Sequence, residues 1–312
     1  MEDNTKKTIV ATVGIFDGVH AGHRYLINQL KAIAEVEHAK SLVVTFAVHP
    51  RKVLSADFHP ELLNTLSQKI SLLKATGIDR CEVLEFSIQM SKLSAYDFLK
   101  QILIGKYGVT TLLVGHDHRF GHNRAEGFDD YVRYGEMLGI EVIQASRFIT
   151  SEHESVCSSA IREALHRGNM ETVNTLLTNP YSLAGRVTNG FKVGRKIGFP
   201  TANIQPNDAE KIIPPIGVYA VRIRINQVLL DGMMNIGTRP TLANGNQISL
   251  EVNIFDFDET IYNQTIEVFF IKKIRDEKKF NGVDELIAQL NEDKLNVKEV
   301  IIDFVNSRSI DC

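Results

Sequence analysis

The stretch Gly14-Ile-Phe-Asp-Gly-Val-His-Ala-Gly-His23 constrains the fold of this chain more than any other. It follows an apolar run, Thr8–Val13, that reads as a buried strand. It precedes Arg24–Ala39, where Leu26, Ile27, Leu30, Ile33 and Ala34 recur at helical spacing. A strand that ends in a glycine-containing loop and opens a helix gathers backbone N–H groups and the positive end of a helix dipole at one spot. His20 and His23, three residues apart at the start of that helix, can both face it. Gly22 between them removes a side chain where a phosphate needs to come close. The pattern favours an anion site, of the nucleotide-phosphate kind, served by two imidazoles. Surface histidines and half of a zinc site are the plainer alternatives; zinc lacks a Cys or carboxylate partner at familiar spacing.

From residue 8 to about 145 the texture alternates. Strand-like runs at 41–46, 81–86, 110–115 and 140–144 are separated by helical patterns at 60–75, 95–107 and 128–138. Alternation of this kind predicts a parallel sheet covered by helices, with ligands at the carboxyl ends of its strands. Those ends carry Gly14–His23, His49-Pro50-Arg51 and Gly115–Phe120. Helical segments at 158–167 and 170–177 close this half. After Asn179-Pro180, runs such as Gly217–Ile225, Ile248–Phe257 and Thr265–Ile271 alternate without helices between them. They predict an antiparallel sheet or small barrel, and two helices follow at 283–291 and 298–306. The fold class expected is α/β: a doubly wound parallel sheet over 1–180, then a small antiparallel β-barrel with terminal helices over 181–312.

At 312 residues the chain is long enough for two cores. A formal net charge of −3 gives no basic footprint, so no nucleic-acid partner is expected. Cys81, Cys157 and Cys312 are scattered, without metal-ligand spacing, and fit a reducing compartment. The N-terminus does not read as a signal peptide and no apolar run approaches a membrane span. A cytoplasmic protein with no membrane partner is therefore expected. Oligomeric state stays open.

His20-Ala-Gly-His23 resembles the HxGH signature of the nucleotidyltransferases. The longer stretch from Gly14 is closely similar to the form in prokaryotic bifunctional FAD synthetases, which join a riboflavin kinase to an FMN adenylyltransferase. The resemblance runs on through Thr45-Phe46…His49-Pro50, Gly115–Gly121 and Val156-Cys-Ser158-Ser159-Ala-Ile-Arg162. It implies that Gly14, Phe16, Asp17, Gly22, Asp117 and Arg119 line a nucleotide site. Ser158, Ser159 and Arg162 would hold the β- and γ-phosphates of ATP, a clamp that suits hydroxyls and a guanidinium at a helix start. His20 and His23 would donate to the phosphates as an FMN phosphate displaces pyrophosphate. Val48, His118, Cys157 and Ser159 depart from the family's usual residues. Val48 and His118 bear on the flavin pocket, and Cys157 reads as a buried serine substitute.

In the second half, Gly185-Arg-Val-Thr-Asn-Gly-Phe-Lys-Val-Gly-Arg-Lys-Ile-Gly-Phe-Pro-Thr-Ala-Asn203 is rich in glycine and base. Such a loop suits polyphosphate, although a glycine-rich hairpin would look the same. The match to the riboflavin kinase pattern, with its Pro200-Thr-Ala-Asn203 motif, implies an ATP-binding role for Gly185, Lys192, Gly194, Arg195 and Pro200. It also implies Mg²⁺ and ATP binding at Thr201 and Asn203. Glu251 corresponds to the family's catalytic base, and Arg275 and Glu277 would lie near the flavin. Asn189 and Asn253 replace commoner histidines. The resemblance thus implies an enzyme that makes FMN from riboflavin and ATP, then FAD from FMN and ATP. Its substrates are riboflavin, FMN and ATP, and its cofactor Mg²⁺. A paralogue with one active half and a non-catalytic flavin sensor are the alternatives.

Overall fold

Strand β1, Ile9–Val13, is buried along its whole length, which is the mark of a central parallel strand covered on both faces. Its side chains divide by alternation: Ile9, Ala11 and Val13 enter one apolar cluster and Val10 enters another. The neighbouring strands β2 (Lys40–Phe46) and β4 (Thr111–Val114) split the same way: Leu42, Val44, Leu112 and Val114 join the first cluster, Val43 and Leu113 the second. The helix Ala21–Val36 closes the second face with Ile27, Leu30 and Ala34, and Leu99, Leu103 and Tyr131 close the first.

The computed structural model describes residues 8–55, 57–149, 156–190, 193–240 and 246–309. The chain forms two compact units, 1–158 and 159–312. In the first, β3 (Arg80–Leu84) and β5 (Glu141–Gln144) complete a five-stranded parallel sheet of order β3-β2-β1-β4-β5. The chain steps outward one way from β1 to β3 and the other way from β4 to β5. The reversal therefore falls between β1 and β4, where open α/β sheets bind ligands at the carboxyl ends. The loops Gly14–His20 and Gly115–Phe120 leave the sheet at that point.

The expected helix over 60–75 begins only at Leu66, because Thr65 caps it: its hydroxyl accepts from Gln68 N, and the Gln68 side chain accepts from Thr65 N. The sequence changes texture near residue 180, whereas the compact units part after Ser158. Between these points lie the helices Ser158–His166 and Met170–Leu177. The second docks on the barrel: Asn174 Nδ2 donates to the carbonyls of Phe270 and Ile271, and its Oδ1 accepts from Tyr181 N.

The second unit is a closed antiparallel barrel of order β10-β7-β6-β11-β8-β9. Its strands are β6 (Tyr181–Thr188), β7 (Ala202–Pro206), β8 (Gly217–Ile225), β9 (Val228–Pro240), β10 (Asn246–Ile254) and β11 (Thr265–Arg275). The two terminal helices expected from sequence are one helix, Val283–Ser309, of 27 residues. Asp293, Val297 and Ile301, spaced by one turn, are buried along it and keep it continuous across the polar stretch.

Candidate functional sites

In the first unit the chain turns sharply as it leaves β1. A Cβ at Gly14 would lie 2.9 Å from the Phe16 ring, so glycine lets Phe16 fold back beneath the loop. Phe16 and Val19 both carry positive φ, 52° and 41°. Buried Asp17 holds the turn: its carboxylate accepts from the amides of Leu63 and Asn64 at 3.0 and 3.1 Å. Its carbonyl accepts from Ser158 Oγ at 2.8 Å. Asp17, expected at the nucleotide, thus anchors the loop.

His20 caps the helix Ala21–Val36, its Nδ1 accepting from His23 N at 3.3 Å. In a neutral ring this puts the proton on Nε2 and leaves Nε2 as the donor. The two imidazoles stack with centroids 3.6 Å apart, and the edge of Phe16 meets His23 at 5.1 Å. Burial first, then the neighbouring His20, His118 and Lys69, push the His23 pKa well below its ordinary range. His118 joins the pair from the loop after β4. Burial, with Arg124 nearby, lowers it to about 4. His23 Nδ1, His118 Nε2 and Arg24 Nε are buried with no hydrogen-bond partner among the described residues. Three such orphans around one helix start mark a place shaped for a polar ligand.

Gly22 is bare for a reason the sequence did not show: a Cβ there would come within 3.2 Å of the Val156 carbonyl and 3.3 Å of the His20 ring. Ser158 opens the helix Ser158–His166, with exposed Ser159 and half-buried Arg162 in its first turns. Asp117 and Arg119 are exposed on the loop after β4. Cys157 is exposed, so it is not a buried stand-in for serine. His49 is spent as a cap, its Nδ1 accepting from Arg51 N. Arg24 and Lys69 went unnoticed in the sequence, since each reads there as an ordinary surface cation of an amphipathic helix.

In the second unit β7 and β10 pair at Glu251↔Asn203 and Val252↔Ala202. One step further along this register sets Asn253 across from Thr201. Four polar side chains therefore share one face: Glu251, Asn253, Thr201 and Asn203. Thr201 Oγ1 donates to Glu251 Oε2 at 3.2 Å, and Asn253 Nδ2 donates to the Pro200 carbonyl at 2.6 Å. The Asn253 side chain, unassigned by the sequence, thus ties down the turn that carries Thr201. Beyond these two pairs β7 and β10 diverge, leaving a crevice of about 380 Å³ lined by Asn203, Ile204, Ser249 and Leu250.

The glycines of this half differ in purpose. A Cβ at Gly190 would overlap Asn203 Nδ2, 2.0 Å away, so the loop backbone lies directly against Asn203. Gly194 lies against the Phe199 carbonyl and Gly185 against Ile204 and Gln205. Gly185 sits within β6, where barrel packing alone demands a glycine. Arg195 is exposed on the short helix Val193–Lys196, and Lys192 lies outside the described residues. Arg275 grips Asp293 through Nε and Nη2, the shortest contact 2.7 Å. Glu277 brings its carboxylate against Gly237, whose partner Ser249 precedes Glu251 by two residues. The hydroxyl of Thr201, the carbonyl of Asn203 and the Glu251 carboxylate are hard oxygen donors of the kind Mg²⁺ takes alongside phosphate oxygens.

Comparison with known proteins matches residues 2–160 to the FAD synthetase family model and 177–301 to the riboflavin kinase model. The bifunctional riboflavin kinase/FMN adenylyltransferase of Bacillus subtilis (strain 168) is 36% identical over 99% of this chain and 96% of its own. That of Escherichia coli (strain K12) is 35% identical over 93% of this chain and 92% of its own. A solved structure described as a macrolide-efflux protein from Streptococcus pneumoniae is 30% identical, covers 95% of each chain and superimposes with a TM-score of 0.86. Among the described residues no helix is long and apolar enough to cross a membrane.

Proposed function

The chain belongs to the family of bifunctional riboflavin kinases/FMN adenylyltransferases, which make FMN and FAD, and from that premise we propose how its residues divide the two reactions. Residues 1–180 carry adenylyl transfer and 181–312 carry the kinase. The observation that supports this division most is chemical. One unit holds stacked imidazoles at a helix start, and the other holds a carboxylate hydrogen-bonded to the threonine of a Pro-Thr-Ala-Asn turn.

In the first reaction the ribityl 5′-hydroxyl of riboflavin attacks the γ-phosphorus of ATP and ADP departs. Glu251 accepts the hydroxyl proton, and its bond to Thr201 Oγ1 sets the direction of the carboxylate. Thr201 and Asn203 would hold Mg²⁺, which would supply charge neutralisation for the transferred phosphoryl group. The Gly190 backbone, laid against Asn203, brings the basic loop over the polyphosphate, and Arg195 meets it from the next turn. Arg275 and Glu277 border the flavin side, with Asp293 fixing the Arg275 guanidinium.

In the second reaction an FMN phosphate oxygen attacks the α-phosphorus of a second ATP, and the bond to pyrophosphate breaks. Neutral His20 donates through Nε2, and His23 offers its buried ring nitrogen, as negative charge moves to the leaving group. Ser158, Ser159 and Arg162 hold the β- and γ-phosphates; Asp117 and Arg119 border the nucleotide. Asp17 and Phe16 serve by shaping the loop. No protein nucleophile is needed, because positioning and charge neutralisation carry both steps. A cytoplasmic location suits soluble nucleotide and flavin substrates.

A chromatographic time course of riboflavin, ATP and Mg²⁺ with the whole chain tests this reading. FMN is expected to rise first and FAD to follow with one pyrophosphate per FAD. Tight flavin binding without turnover would instead favour a flavin sensor, and FAD formation restricted to supplied FMN would favour a chain with one active half.

A further inference from the structure

Lys69 has no part in the chemistry above, yet it is buried to 7% exposure in the middle of the helix Leu66–Lys74. Long cationic side chains are rarely enclosed to that degree without an assigned partner. Its Nζ donates to two backbone carbonyls, Phe46 at 2.8 Å and Ile15 at 3.1 Å. Phe46 ends β2 and Ile15 lies two residues beyond the end of β1, so one ammonium spans the open ends of two adjacent strands. The Ile15 carbonyl also accepts from Thr45 Oγ1 at 3.1 Å. With that carbonyl doubly held, the chain continues into Phe16 at φ 52° and Asp17, whose carboxylate is held by Leu63 and Asn64. Leu63, Asn64 and Lys69 therefore form one floor under the loop. Phe16, fixed above that floor, rests its edge on the His23 ring.

We propose that Lys69 is a positioning residue for adenylyl transfer: it clips Ile15 and Phe46 together so that Phe16 and His23 are presented to the phosphates in one arrangement. This rests on His23 acting at that site. The clip carries a charge as well as hydrogen bonds. Around His23 stand His20 on its own helix, His118 from the loop after β4, and Lys69 from the helix below; none of them is acidic. Burial lowers the Lys69 pKa from its ordinary value, and Asp17, close by, offsets part of that and favours the ammonium. A cation fixed under His23 opposes protonation of the imidazole, which preserves a neutral ring as the active form.

Three substitutions separate the roles. Lys69→Met removes donor and charge, Lys69→Gln keeps a donor without charge, and Lys69→Arg keeps charge with donors. FAD formation from supplied FMN and ATP is measured as kcat, KM and the acid limb of the pH profile of kcat/KM. Lys69→Met should lower kcat about tenfold with KM changed less than about threefold, because the side chain touches no substrate. Its acid limb should move up by about half to one pH unit, and Lys69→Arg should return the limb to the wild-type position. If Lys69→Met fails to fold, Lys69→Gln must show the same upward limb. An unmoved limb in both neutral variants, or a shifted limb in Lys69→Arg, overturns the proposal. His23→Ala distinguishes the two levels of failure. FAD formation surviving in His23→Ala overturns the site itself. Its loss in His23→Ala, together with wild-type behaviour of every Lys69 variant, overturns only the role of Lys69.

Discussion

At the scale of the residue, Asn253 and His118 show how a single buried side chain shapes each site. Asn253 holds the Pro200 carbonyl, so Asn253→Ala frees the turn that aims Thr201 at Glu251. A lost buried hydrogen bond of about 1.5 kcal/mol would lower kcat for FMN formation about tenfold. FAD formation from supplied FMN should stay unchanged in the same preparation. His118 is held neutral in the native chain down to about 4, against 6.5 ordinarily. The unfolded chain therefore binds this proton first as pH falls, and stability contributed above pH 6.5 is lost progressively between 6.5 and about 4. His118→Phe, which cannot titrate, should lose less of its melting temperature between neutral and acid pH than the wild type. Equal losses would contradict the burial of His118. The resemblance assigned Thr201 and Glu251 to one kinase site through their motifs, but the hydrogen bond between them was not legible, because Thr201 read as part of a loop. Nor was Lys69, because a lysine in an amphipathic helix reads as solvent-facing until the fold reveals which face is covered.

At the scale of the element, helix boundaries were decided by single polar groups that periodicity does not weigh. The Thr65–Gln68 capping box starts its helix late. Thr65→Ala should cost the first unit about 1 kcal/mol in denaturant unfolding. It should also loosen the first turns of the helix that carries Lys69. The helix Val283–Ser309 runs on through polar residues because Asp293, fully buried, binds Arg275 bidentately, and Val297 and Ile301 follow on the same face. The sequence showed only charges at this point and suggested a break. Removing one member of an enclosed pair strands the other, so Asp293→Ala should destabilise the second unit by about 3 kcal/mol, read from its unfolding midpoint. An effect below about 1 kcal/mol would mean that Arg275 finds solvent easily when released.

At the scale of the molecule, two architectures lie along one chain and each sets its polar groups at one place. The alternation of strands and helices made the parallel sheet legible, and the order reversal between β1 and β4 explains why the glycine loop and His118 meet. Closure of the barrel was harder to read, because the β7–β10 seam joins residues about fifty positions apart through only two registered pairs. That seam is also where Thr201, Asn203, Glu251 and Asn253 come together. The central claim is that two separate sites perform successive reactions. Its most direct measurement follows riboflavin, FMN and FAD in Glu251→Gln and His23→Ala side by side. Glu251→Gln should convert FMN to FAD but leave riboflavin untouched. His23→Ala should carry riboflavin to FMN and stop there, and a mixture of the two should restore FAD from riboflavin. FMN formation persisting in Glu251→Gln, or FAD formation persisting in His23→Ala, would contradict the account.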